Sequence, residues 1–113
     1  MAFNDLEFHA VKKEVEAFVE SRRPPVHIRP ELDITYKIDD QTIEILEVRP
    51  LWNGKPGEMM ERTTAKISYV RSQKVWNVYW MRASLKWELY EKAKTLGDAL
   101  EIVHTDQYGY FFG

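Results

Sequence analysis

Cysteine is absent from the chain, which excludes disulfides, thiolate nucleophiles and thiolate metal centres and suits a reducing compartment. No apolar run approaches the ~18 residues that read as a membrane span. The first ten residues, MAFNDLEFHA, lack the basic start and apolar core of a signal peptide. A cytoplasmic location with no membrane partner is therefore the expectation. There is no glycine-rich phosphate loop and no Ser/His/Asp or Cys/His arrangement, so neither a cofactor nor a covalent nucleophile is expected. Excess charge of one sign is also missing. A net charge of −2 gives nucleic acid or an anionic membrane no general attraction, though it leaves room for a local basic patch.

What is present is an ordinary globular composition, 44% hydrophobic and 30% charged over 113 residues, enough for one domain, 1–113, around one core. The organising stretch is residues 63–90, TTAKISYVRSQKVWNVYWMRASLKWELY, which reads as three antiparallel strands. A turn at Ser72 and Gln73 sets Tyr69 opposite Trp76, Ile67 opposite Val78 and Ala65 opposite Trp80 on one apolar face. Thr64, Lys66, Ser68, Asn77, Tyr79 and Met81 take the other face. A second turn at Ala83 and Ser84 sets Trp87 opposite Trp80 and Leu89 opposite Val78. Three indoles are thus expected to point inward together, each removing ~150–250 Å² from water.

Upstream, Asn4 with Glu7 forms a capping box and Phe3 with Phe8 a hydrophobic staple, which predicts a helix over about 5–22 within an N-terminal segment 1–23. Its stripe runs through Leu6, Ala10, Val11, Val15, Phe18, Val19 and Arg22. Pro24 and Pro25 stop it. An extended segment, 26–30, leads to a hairpin that turns at Asp39 and Asp40, with Tyr36 facing Ile43, Ile34 facing Ile45 and Leu32 facing Glu47. Strands are therefore expected through 26–91, interrupted by an irregular loop at 50–62, PLWNGKPGEMMER, with turn signals at Asn53-Gly54 and Pro56-Gly57. A loop of that length in a small domain is more often functional than a plain connection. Over 95–113, Thr95 with Asp98 caps a short amphipathic helix ending near His104, and Tyr110, Phe111 and Phe112 follow as a terminal strand or an arm docked on the core. The fold class is α+β: a curved antiparallel sheet of about five to six strands, the first helix across one face and a short C-terminal helix.

Several segments carry a resemblance: PVHIR at 25–29, Glu47-Val48-Arg49-Pro50-Leu51-Trp52, Ala65-Lys66-Ile67, Trp76 with Tyr79-Trp80, Lys86-Trp87-Glu88-Leu89-Tyr90, and the closing 106–113. Over roughly 25–113 the chain resembles a bacterial family known as domain of unknown function 3024. The resemblance implies a bacterial, cytoplasmic protein and brings no activity, ligand or catalytic residue.

Candidate chemistry begins at Glu47, a carboxylate on the apolar side of its strand with Arg49 beside it and Arg62 and Arg82 in possible reach. A charge there needs a cation or donors. It is either a perturbed acid or, as is commoner, a structural ion pair at the sheet's edge. Asp33, Glu44 or Glu47, and Lys66 are what a metal-dependent nuclease would use, but Glu47 faces away from the others. His104 and Asp106 would hold a metal only if His27 approached, and turn and helix-end roles account for both; no metal site is assigned. Between Arg62 and Trp87 there are six basic residues and no acid. Lys66, Lys74, Tyr79 and Lys86 therefore form an alternative surface for single-stranded nucleic acid. Against it, the inward indoles leave mainly Tyr79 for stacking, and Lys66, Tyr79 and Glu88 read as a cross-strand row. The preferred expectation is a non-enzymatic binding or interaction module, docking a protein partner or a second copy through the 50–62 loop and the neighbouring rim: Glu47, Arg49, Trp52, Met59, Met60 and Arg82.

Overall fold

The computed structural model describes residues 2–112. The first helix, α1, spans Asp5–Arg22 and is opened by the expected capping box: Asn4 Oδ1 accepts from the Glu7 backbone N–H, and Glu7 Oε1 accepts from that of Asn4. Val11, Val15, Phe18 and Val19 are its buried face. The stripe does not reach Leu6, which is exposed. Nor do Phe3 and Phe8 form the staple: Phe3 packs on Trp76, with ring centroids 5.9 Å apart, while Phe8 remains exposed.

Five strands follow: β1 (Asp33–Asp39), β2 (Thr42–Pro50), β3 (Met59–Val70), β4 (Val75–Met81) and β5 (Trp87–Ala93), then helix α2 (Leu96–Thr105). The sheet is an antiparallel meander in the order β1-β2-β3-β4-β5. α1 lies against β1, α2 against β4 and β5, and the two helices touch. Between helices and sheet sits one apolar cluster that includes Val15, Ile43, Ile45, Ile67, Val78 and Val103, all fully buried. Each such side chain contributes about 1.5–3 kcal/mol by leaving water. Among the described residues no helix is long and apolar enough to cross a membrane.

The β3–β4 register is the expected one: Tyr69 faces Trp76, Ile67 faces Val78 and Ala65 faces Trp80. The connecting turn is longer than two residues, with Lys74 in the left-handed region at φ 53°. The other two registers differ. In the β1–β2 hairpin the turn falls at Asp40, φ 55°, and pairing shifts by two residues: Tyr36 faces Ile45 and Ile34 faces Glu47. A shift of two preserves the faces.

Between β4 and β5 the shift is one residue, which reverses them. Met81 faces Trp87 and Tyr79 faces Leu89, because residues 82–86 form an odd-length loop closed by Arg82 N–H donating to the Lys86 carbonyl, with Leu85 left-handed at φ 63°. Trp87 and Leu89 therefore leave the core side for the opposite face. A bulge after Val78 then restores the phase, so that Ala93 is buried opposite Trp76. Lys66, Tyr79 and Glu88 do not form a row; Leu89 takes the third place, and Glu88 faces Trp80. Only Trp76 and Trp80 pack against the core.

Three further segments correct the expectations. Residues 26–31 are not extended but form consecutive turns held by Ile28 N–H to the Pro25 carbonyl and Glu31 N–H to the Ile28 carbonyl. The supposed 50–62 loop is shorter than expected: Pro50 and residues 59–62 are strand, leaving a connection of residues 51–58. Residues 110–112 form no strand; the arm is what is found. Asp106 adopts the left-handed conformation that ends α2, and its carboxylate accepts the backbone N–H groups of Phe111 and Phe112 at 3.0 and 2.9 Å. That clamp drops Phe111 into the core, where it is 1% exposed. Tyr110 stacks on Trp80, centroids 4.1 Å apart.

Candidate functional site

β2 and β3 run past their neighbours. β1 stops pairing at Val48 and β4 at Ala65, while β2 and β3 stay paired out to Pro50 and Met59. A two-stranded ribbon thus projects from the sheet. A bulge between Ile45 and Leu46, where the buried Thr64 hydroxyl donates to the Ile45 carbonyl at 3.1 Å, marks where it starts to swing away. At its tip Leu51 N–H donates to the Glu58 carbonyl, and Gly54 N–H to that of Leu51. A Cβ at Gly54 would sit 2.8 Å from Leu51 Cδ2, so glycine there is a matter of space. Trp52 is 93% exposed, and Leu51, Met59 and Met60 are exposed beside it.

At the root of the ribbon stands Glu47, 3% exposed. Arg49 Nη2 donates to its Oε2 at 2.7 Å; Arg62 Nη1 lies 3.9 Å from Oε1, beyond hydrogen-bonding distance. Oε1 is buried and accepts no hydrogen bond. Arg82 does not join this group, because it pairs with Glu88 at 3.3 Å.

Glu47 and Arg49 also wall a cavity of about 400 Å³ between the end of α1, the start of β1, the end of α2 and the C-terminal arm. Arg22, Leu32, Ile34, His104 and Phe112 complete most of its lining. Arg22 sits over the Phe112 ring, its Cζ 3.8 Å from the centroid, and donates through Nη1 to the His104 carbonyl. Sequence reasoning missed Arg22, His104 and Phe112 as wall residues. The one available signal was an arginine on the apolar stripe of the first helix.

The remaining candidates fall in three places. On the open face of the sheet, Lys66 Nζ lies over Tyr79 at 4.8 Å and Trp87 at 5.0 Å, facing Glu44 across the strand pair. Lys74 lines a second cavity, about 420 Å³, with Phe3, Trp76, Lys94 and Leu96 on the helix side. Lys86 is in the β4–β5 loop. The four are not gathered on one surface. Asp33 is held by Arg23 through two bonds of 2.9 Å, which lower its pKa, and Asp106 is committed to the arm. Among the described residues no three His, Cys, Asp or Glu side chains converge as metal ligands would.

Against family models, residues 3–113 match the domain of unknown function DUF3024. The chain belongs to that family. The DUF3024 match takes in α1 as well as the sheet, so the helix is part of the family unit and not an appendage. Comparison with curated proteins finds no match, and comparison with solved structures finds none either.

Proposed function

We propose that this DUF3024 chain is a non-enzymatic binding module whose contact surface is the projecting β2–β3 ribbon. Trp52, Met59 and Met60 are its anchors, and Glu47 and Arg49 belong to the rim beside them. The observation that carries the reading is Trp52: a large apolar ring left 93% exposed at the tip of a ribbon, a cost in solubility that partner burial would recover. Polarizable methionines beside it adapt to a partner's contours. A protein is the partner class favoured, since the ribbon offers apolar anchors with arginine at the rim. A photo-crosslinking residue at position 52 should give one discrete protein adduct in cells that is lost when Met59 and Met60 are both serine. A self-adduct, with dimers in sedimentation, would make the partner a second copy. Only diffuse background, unchanged by the serine pair, would end the proposal.

Single-stranded nucleic acid is a second reading, supported by one observation absent from the sequence expectation: Trp87 joins Tyr79 and Lys66 on the open face. Two stacking rings with a cation between them suit an unpaired base and its phosphate. The face also carries Glu44 opposite Lys66 and a Lys37–Glu61 pair at 3.0 Å, which offset its cations. Anisotropy of a labelled oligonucleotide should fall with salt and with Lys66→Ala or Trp87→Ala if this reading holds. Salt-independent or absent binding removes it.

A further inference from the structure

We infer that the cavity behind Glu47 is a small-molecule site for a zwitterion, an amino-acid-like ligand with a carboxylate, a neighbouring ammonium and an apolar side group. The reading is independent of whether the ribbon docks a protein, although the two share Glu47 and Arg49.

The first ground is the orphaned carboxylate oxygen. Glu47 is 3% exposed, yet only Oε2 is bonded, to Arg49; Oε1 has no donor. A buried carboxylate oxygen left without a donor is costly, and native structures seldom keep one without a use. A second cation, Arg62, stops at 3.9 Å from Oε1 and is 63% exposed, so it leaves that oxygen without a donor.

The second ground is Arg22, which lines the same cavity. Arg22 spends one nitrogen on the His104 carbonyl and keeps its other N–H groups without an acceptor among the described residues, its Cζ 3.8 Å from the centroid of the Phe112 ring. A guanidinium with N–H groups to spare presents a fork to a carboxylate. Leu32, Ile34 and Phe112 line the same cavity and would take an apolar side group. A lone cation would meet Arg22 and Arg49, and a lone anion would meet Glu47. A ligand bearing both charges satisfies both ends, and about 400 Å³ is room enough for an amino acid.

The test titrates the full chain with L-phenylalanine and L-leucine to ~10 mM, where even a millimolar Kd approaches saturation, following methyl and aromatic NMR shifts. At least one amino acid should move Leu32, Ile34 and Phe112. Phenylacetate, which lacks the ammonium, and phenethylamine, which lacks the carboxylate, should each bind at least tenfold more weakly. Glu47→Gln should cost tenfold or more for the amino acid and little for phenylacetate; Arg22→Gln should weaken both. Should Glu47→Gln fail to fold, the probe comparison and Arg22→Gln still decide. Trp52→Ala should leave the affinity unchanged, which separates this site from the ribbon. No shifts with either amino acid, or phenylacetate binding as well as phenylalanine, overturns the inference, as does an affinity indifferent to Arg22→Gln.

Discussion

Arg71 and Glu7 are locked in a two-pronged pair, Nη2 to Oε1 at 2.6 Å and Nη1 to Oε2 at 2.9 Å, that ties the first turn of α1 to the β3–β4 turn. Glu7 is therefore capping residue and tertiary clamp at once. The Arg71 guanidinium first, and then the Asn4 backbone N–H, lower its pKa from 4.5 to about 2. A carboxylate with a depressed folded-state pKa gives stability that is fully present above its unfolded value and is lost as pH falls towards the folded one. Urea midpoints should hold down to about pH 4.5 and decline between there and pH 2, with Asp33, also lowered, adding to the slope. Glu7→Gln should flatten that decline; an unchanged acid limb would show that the clamp carries no weight.

The ion pair at the ribbon's root has an asymmetric dependence. Removing Arg49 alone leaves buried Glu47 with no hydrogen-bond donor and only Arg62, 3.9 Å away, as a counter-charge, so Arg49→Ala should destabilise by about 2 kcal/mol, below the usual 3–5 because Arg49 is half exposed and Arg62 remains. Replacing both, Glu47→Leu with Arg49→Met, should recover most of that loss. Chemical denaturation of the two variants decides, and a double variant weaker than the single would refute the account.

Asp106 holds the terminal arm through two charge-assisted bonds. Asp106→Ala should cost about 2–3 kcal/mol and speed amide exchange at Phe111 and Phe112 ahead of the sheet. Phe111→Ala should cost more, about 3–5 kcal/mol, as it empties a fully buried site.

Trp52 contributes nothing to holding the fold together. Trp52→Ala should shift stability by no more than ~0.5 kcal/mol, while removing the emission that acrylamide quenches most readily. A large loss of stability would place its ring in a packing role, and the ribbon would lose its standing as a docking surface.

How far the sequence could be read depended on what set each register. Between β3 and β4, aromatic and β-branched residues alternate so strictly that only one pairing buries them, and Tyr69 meets Trp76 as expected. At the β4–β5 loop the deciding fact was Leu85 in a left-handed conformation, which leucine gives no reason to anticipate. One residue of extra loop sent Trp87 outward, and the later bulge hid the change by returning Ala93 to the core. The buried Glu47 with Arg49 was visible from alternation alone. Its cavity was not, since Arg22, His104 and Phe112 arrive from three separate places in the chain, and the placement of Phe112 depends on Asp106, which reads in sequence as an ordinary turn residue.

The arm clamped by Asp106 also bears on the timing of assembly during synthesis. A ribosome that has delivered both helices and all five strands has not yet supplied Phe111, the side chain that fills the space between α2 and β5. A released chain that ends at Thr105 should therefore stay protease-sensitive, while one carried on through Phe112 should be resistant.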